Sequence, residues 1–456
     1  MRKHIIFLLA LPLLTSSCGI YNQYKPTEEV APDLFGENVA VTDTLSLSNV
    51  DWREMFTDPI LQRHIDSALV RNTDLQTAYL RVQEAEASLM SARLAYIPSF
   101  SLSPQATLGT GGDLQNATMT YSLPLTASWE IDIFGKLTNQ KRAAKAAYYQ
   151  SQEYAQAVRT QIIASVANTY YTLLMLDAQY AITQETEKTW RESVEATRAL
   201  KEAGYMNEAA LAQTEATYYS IYTSMLDLKE QINQAENAMS LLLFETPQAI
   251  ERGSLYDQNF TEEFSVGIPL QMLSNRPDVR SAEQALAQAF YMTNAARSAF
   301  YPSITLSGSI GWTNSIAGAI VNPMQAIASA VGSITEPLFN RRMNVAQLRI
   351  AKAQQEEARL AFQQTLLNAG SEVNDALMQY QTAHQKAEYY VKQIDALSIA
   401  AESTRLLMEH GSTNYLEVLT AQQSLLTAQL TQVANRFSEI QSLISLYQAL
   451  GGGREM

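Results

Sequence analysis

The 456-residue sequence has one cysteine, four histidines and few charges for its length. A single thiol, Cys18, leaves no internal disulfide to form. The histidines, His4, His64, His384 and His410, are widely scattered, and no HExxH, CxxC or phosphate-cradling glycine loop occurs. No catalytic constellation and no metal site is therefore expected. Charged residues make up 17% of the chain, against about 25% in ordinary domains. The formal net charge is −14, and without a basic face nucleic acid is not an expected partner. Beyond the N-terminus no segment reaches the run of about 18 apolar residues that a spanning helix requires. Helical membrane spans are excluded on that count, whereas β-strand spans are not.

Charge is missing most completely in two stretches. Pro302 to Thr335 contains none, and Ile97 to Ser128 contains only Asp113. Inside them, Met119, Tyr121, Leu123, Leu125, Ala127 and Trp129 alternate with Thr120, Ser122, Pro124, Thr126 and Ser128. Ile304, Leu306, Gly308, Ile310 and Trp312 alternate in the same way with Thr305, Ser307, Ser309 and Gly311. Period-two patterning predicts strands with one apolar and one polar face. Gly109 to Asp113 and Asn314 to Pro323 supply turns, and the partner strands, near Phe100 to Leu108 and Ile327 to Leu338, alternate less cleanly. A soluble hairpin packed on helices would carry Lys or Glu on its open face. Strands of about ten residues whose polar face shows only Ser and Thr suit a membrane barrel. Tyr96, Trp129, Tyr301 and Trp312 flank them, where aromatic residues gather at membrane interfaces; strand-end packing is the plainer reading of each.

Glycine and proline are absent from Lys136 to Ala203. At about 1.5 Å per residue such a helix could reach on the order of 100 Å. Its apolar stripe is Val158, Ile162, Val166, Tyr170 and Leu174. The chain turns at Gly204, and Tyr218, Ile221, Met225, Leu228, Ile232, Ala235, Met239 and Leu242 then keep 3-4 spacing. Asn340 to His410 repeats the rod, Gly411 the turn, and a seam from Leu416 and Leu419 to Tyr447 repeats the spacing, as in coiled coils. Ala92-Arg93-Leu94-Ala95-Tyr96-Ile97-Pro98-Ser99 likewise returns as Ala296-Arg297-Ser298-Ala299-Phe300-Tyr301-Pro302-Ser303. The chain is thus duplicated, each copy holding a helix, two strands and a long helical hairpin. One leading helix is expected from Pro59 to Tyr96, stopped by Pro98.

Arg2 and Lys3 precede the apolar run Ile5 to Leu14, an export signal. It ends at Thr15-Ser16-Ser17-Cys18-Gly19, which resembles a bacterial lipoprotein box, with Thr15 in place of the usual Leu. The expected organisation is a signal peptide over 1–17, a tether over 18–57 lipidated (palmitate) at Cys18, and a first repeat over 58–243. A linker over 244–269, a second repeat over 270–450 and a short tail over 451–456 follow. In the repeats, strands are expected at about 97–133 and 302–338, and hairpin tips near 204 and 411. The covalent lipid is the only non-protein group expected.

Asn275-Arg276-Pro277-Asp278-Val279-Arg280-Ser281-Ala282-Glu283 resembles the RPDV-x-x-AE signature of the TolC/OprM-type outer-membrane efflux family, and Tyr415-Leu416-Glu417-Val418-Leu419-Thr420-Ala421-Gln422 resembles its second hairpin tip. The likeness extends over nearly the whole mature chain and points to the lipoprotein (NodT-like) branch. It implies a mainly α chain with a β-barrel part: a homotrimer whose four strands per chain close one twelve-stranded transmembrane barrel, over an α-helical periplasmic barrel. Four strands cannot close by themselves, and open edges are not tolerated in lipid, so several chains must share a barrel. The implied function is an exit duct, opened by a periplasmic adaptor and driven by an inner-membrane pump. Drugs are the expected cargo, with metals or a secreted polypeptide as alternatives. A lipid-anchored coiled-coil spacer or adhesin without a pore is the alternative outside transport. The family's two gate carboxylates align with Glu417 and Thr420, so one acidic ring is expected at the mouth; a solvated helix-start carboxylate, favoured by the helix dipole, is the plainer reading of Glu417. No Lys or Arg lies between Arg405 and Arg436, and no basic latch is expected beside it. Gly204, Tyr205, Gly411, Tyr415 and Leu416 would meet the adaptor.

Overall fold

The computed structural model describes residues 23–25, 51–109, 118–258, 276–313, 326–336, 340–410 and 415–453. Cys18, the signal, most of the expected tether, residues 259–275 (the end of the expected linker and the start of the second repeat) and Gly411 lie outside them. In chain order the elements are α1 (Trp52–Met55), α2 (Pro59–Arg71), α3 (Thr73–Leu94), β1 (Ser99–Leu102), β2 (Gln105–Gly109), β3 (Thr118–Ile131), α4 (Lys136–Glu202) and α5 (Glu208–Leu242). After a short 3-10 turn at Leu255–Asp257 come α6 (Pro277–Ser298), β4 (Ser303–Thr313), β5 (Ala326–Thr335), α7 (Met343–Glu409) and α8 (Tyr415–Ala449). Duplication shows in the lengths: α4 and α7 have 67 residues each, and α5 and α8 have 35 each. None of the helices in the described residues is long and apolar enough to cross a membrane.

The leading helix is not continuous as expected, because Asn72 divides it into α2 and α3. Its side-chain oxygen accepts from the backbone N–H of Asp74 (2.9 Å) and Leu75 (3.3 Å), and its amide donates to the carbonyl of Leu242 (3.1 Å). One buried side chain caps the new helix and ties it to α5.

The chain forms two compact units. One is built on Leu80–Glu153 and Arg280–Gln364 and holds the sheet. All pairs are antiparallel, in the order β1/β2, β3, β4, β5. Pro104, which has no N–H to donate, falls in the break between β1 and β2, so these two behave as one interrupted strand. β3 and β4 join the two repeats through ten residue pairs, from Ser122↔Thr313 to Ile131↔Ile304. Register places Leu125 beside Ile310 and Trp129 beside Leu306 on one face, and Thr126 beside Ser309 and Ser128 beside Ser307 on the other. Pro124 interrupts the central strand, and only glycine fits opposite it: a Cβ on Gly311 would lie 2.4 Å from the Leu123 carbonyl oxygen and 2.6 Å from the Pro124 Cα.

The other unit is built on Tyr154–Val279 and Thr365–Met456 with α1 and α2. Its core joins Trp52, Phe56, Leu61 and Ile65 to Ile163, Val166, Tyr170 and Leu174 of α4 and to Ile440, Ile444 and Tyr447 of α8. Trp52 and Phe56, inside the expected tether, are 2% and 0% exposed, so the packed chain starts before residue 58. Tyr170 sits at the centre of a polar pin. Its hydroxyl donates to Asp58 (2.6 Å) and accepts from the Gly253 N–H (3.0 Å), while Gln258 donates to the same Asp58 oxygen (3.0 Å). The segment that ends α8 is clamped as well. Arg276 donates to the Ala449 carbonyl (2.7 Å) and pairs with Glu372 (2.6 Å), and the Gly452 carbonyl accepts from Thr160 (2.7 Å).

Candidate functional site

The sheet offers two chemically distinct faces. On one, Phe100, Leu102, Leu125, Trp129, Leu306, Ile310 and Ile334 are all exposed. An apolar surface of this kind is stable only against another apolar phase. On the other face, Ser101 bonds Thr126 (2.6 Å) and Ser309 bonds Ser329 (2.8 Å), so hydroxyls run across all four strands in one row. Val331, opposite Ser307, breaks the polar face, as the weaker alternation of its strand foreshadows. β1/β2 and β5 are the sheet's outer strands, each with no strand on its far side among the described residues.

The four flanking aromatic residues fall at the two ends of the strands. At the end from which α4 leaves, the Trp129 indole donates to the Tyr96 carbonyl (2.9 Å), the Tyr96 hydroxyl donates to Thr138 (2.9 Å), and Tyr301 stacks on Phe134 with centroids 5.1 Å apart. Trp312 is exposed one residue before the other end of β4. Phe134 carries no sequence signal of its own, because its partner lies 167 positions away in the chain.

At the first hairpin tip, Gly204 has φ +79°, and the N–H groups of Gly204 and Tyr205 close back on the carbonyls of Lys201 (3.0 Å) and Leu200 (2.9 Å). A left-handed glycine after the helix end is the usual way to satisfy such orphan carbonyls. Asn207 then caps α5 through the Ala210 N–H (2.9 Å). Tyr205 is 82% exposed, and Lys201 is ion-paired with Glu208. Arg198 bonds Glu195 (2.8 Å) and bridges to Glu215 on α5 (2.9 Å). In the second copy, Arg405 and Glu402 repeat the first of these pairs (2.7 Å).

At the second tip, α8 begins with Tyr415, Leu416 and Glu417. Leu419 is 6% exposed and packs with Leu426 against Trp190 and Ile221. Leu416, expected in the same seam, is instead 64% exposed. Glu417 and Thr420 are both exposed, and at i and i+3 they share a face of α8. The Thr420 hydroxyl donates to the Leu416 carbonyl (2.9 Å). An open groove of about 670 Å³ runs beside this face, lined by Leu416, Thr420, Gln423 and Thr427 of α8 and by Gln213 and Thr217 of α5. Sequence reasoning missed this neutral polar lining; the signal that could have found it is the 3-4 series Thr420-Gln423-Thr427-Thr431 in α8.

Among the described residues no group of three or more His, Cys, Asp or Glu could hold a metal ion. His384 faces Glu439 (3.0 Å), which also pairs with Arg436 (2.6 Å).

Comparison with known proteins agrees with the fold and with the family resemblance. The family model described as outer membrane efflux protein matches residues 64–243 and 268–452, two blocks that coincide with the duplication. The chain is 31% identical to the cation efflux system protein CusC of Escherichia coli K12, across 99% of both chains. It is 28% identical to the antibiotic efflux pump outer membrane protein ArpC of Pseudomonas putida, across 99% of this chain and 96% of that one. A crystal structure of CusC superposes with a TM-score of 0.86 at 29% identity, covering 96% of this chain and 100% of that one.

Proposed function

Because the chain belongs to the outer membrane efflux protein family, we propose that three copies form the passive exit duct of a tripartite efflux system, handed its cargo by an inner-membrane pump through a periplasmic adaptor. The protein acts at the outer membrane. One observation carries the reading: an antiparallel sheet, four strands wide, with an apolar face, a hydroxyl face and outer edges that no other strand covers among the described residues. In lipid such edges must be closed by other copies. Two copies would give about eight strands, whose interior side chains largely fill, whereas three leave a water-filled lumen. The hydroxyl row faces that lumen and the apolar face meets lipid.

In this reading Glu417 and Thr420 stand at the periplasmic mouth, with one carboxylate per chain narrowing it, and Tyr205, Leu416 and the tips around Gly204 and Gly411 meet the adaptor. A lipid on Cys18 adds a second hold on the membrane. Drug-like molecules are the proposed cargo, supported by the likeness to an antibiotic efflux protein and by a tip groove without charged lining. Metal cations are the second reading, favoured by 31% identity to a cation efflux protein.

Purified protein in a planar bilayer tests the duct. Discrete single-channel conductance is expected. A preparation that binds bilayers without conducting would leave the coiled-coil spacer as the better account. Complementation of a strain lacking its own duct separates the cargoes: restored tolerance to organic drugs supports the first, and restored tolerance to metal cations alone supports the second.

A further inference from the structure

The end of the sheet from which α4 leaves carries a charge arrangement that conduction does not use. Trp129 belongs to the apolar face, opposite Leu306, and its indole is held by the Tyr96 carbonyl. Tyr96 reaches in turn to Thr138, in the first turn of α4. Next on α4 is Lys141, whose ammonium lies 4.8 Å over the Tyr96 ring, and one turn later Lys145 lies 5.2 Å over the Tyr149 ring. Thr138, Lys141 and Lys145 follow 3-4 spacing and so share one side of the helix. The order along this side is apolar strand, indole, phenol, ammonium, ammonium. A membrane surface presents the same sequence of environments, from hydrocarbon through interface to phosphate.

The two acidic groups between Trp129 and Lys141 are already engaged. Asp132 accepts from the N–H groups of Leu137 (2.9 Å) and Thr138 (2.7 Å) and from the Thr138 hydroxyl (2.6 Å). Glu130 pairs with Lys136 (2.9 Å). Neither Lys141 nor Lys145 makes an ion pair within the described residues. Arg93, three residues before Tyr96, is exposed at the same end. In a chain of net charge −14, a cationic strip beside an aromatic girdle is a local inversion. One helical turn separates the two lysines by about 6 Å along the axis, close enough for both to reach one phosphodiester.

We propose that Lys141 and Lys145 form a docking strip for the phosphate headgroups of anionic phospholipids in the leaflet at this end of the sheet. The inference rests on the barrel reading above, since the apolar face must be in lipid for the strip to meet headgroups. Its energetic scale is that of other polybasic interfacial segments, roughly a five-fold preference per lysine at low salt, shrinking as salt screens it.

The test uses the full chain carrying Trp312→Phe, which leaves Trp129 as the tryptophan on the apolar face; Trp52 and Trp190 are buried. The protein is reconstituted in vesicles containing either phosphatidylglycerol or phosphatidylcholine with brominated chains, and tryptophan quenching is read. Both lipids should quench, with phosphatidylglycerol several-fold more effective at equal mole fraction. The preference should vanish in Lys141→Gln/Lys145→Gln and return in Lys141→Arg/Lys145→Arg. Equal quenching in the unmodified strip, or a preference that survives the double glutamine variant, would overturn the proposal while leaving the barrel intact. Quenching by neither lipid would overturn the barrel reading and this inference together.

Discussion

Glu417 and Glu208 each stand in the first turn of the returning helix of a hairpin, and the proposed duct treats them differently. Glu208 is ion-paired with Lys201 across its own turn, so its charge is largely compensated in place. Glu417 shares an exposed face with Thr420 beside a groove of neutral polar groups. With Glu417 at the proposed mouth, Glu417→Ala should raise single-channel conductance and weaken cation preference, while Glu208→Ala should change both less. The reverse result would move the constriction to the first hairpin. Gly311 is a second residue with a sharp expectation. Because a Cβ there would collide with the Leu123–Pro124 backbone, Gly311→Val should cost about 1–3 kcal/mol, read as a lowered melting temperature of the detergent-solubilised protein. Nothing near Gly311 in the sequence reveals this need, since its cause is a proline 187 positions earlier, brought opposite by strand pairing.

The elements themselves were largely legible. The period-two alternation of β3 and β4 and the uninterrupted runs of α4 and α7 are local properties of the chain, and the strands and rods appear where that patterning places them. The division of the leading helix at Asn72 was not legible, because the carbonyl that receives the Asn72 amide comes from α5, 170 residues on. Asn72→Ala should cost roughly 0.5–2 kcal/mol, measurable by chemical denaturation. The pin at Asp58 joins α2, α4 and the segment after α5, and it gives these elements a shared acid sensitivity. Burial works to raise the Asp58 pKa, but hydrogen bonds from Tyr170, the Ile60 N–H and Gln258 outweigh it and hold the carboxyl below its ordinary value. A carboxylate depressed in the folded state contributes stability that is present above the unfolded pKa and lost as pH falls through the folded one. Asp58→Asn should lower stability at neutral pH and flatten its fall below about pH 4, seen as a smaller difference between melting temperatures at neutral and acid pH. An unchanged acid slope would mean other carboxylates dominate.

At the scale of the whole molecule, the prediction concerns copy number. β1 and β5 are the outer strands, and Phe100 and Ile334 stand on them. Cysteines at these two positions should crosslink copies into a ladder that ends at three, with Cys18 replaced by Ala so that only the engineered thiols react. A ladder ending at two, or no crosslink across several such pairs, would count against a shared barrel. The duplication and the need for partners were legible in the sequence. The groove beside α8 was not read from the sequence, because its wall on α5 is supplied from the other repeat.

The β3–β4 pairing has a consequence for how such a barrel could be built. Each repeat contributes one hairpin, so a closed ring of twelve strands contains six hairpins and six seams. Three of those seams are the β3–β4 ladders that already exist inside single chains, where covalent linkage keeps the effective concentration of the second hairpin high whatever the dilution. Only three molecules then have to meet in the membrane instead of six. The internal and intermolecular seams are also free to diverge in sequence, so one set can hold firmly while the other yields.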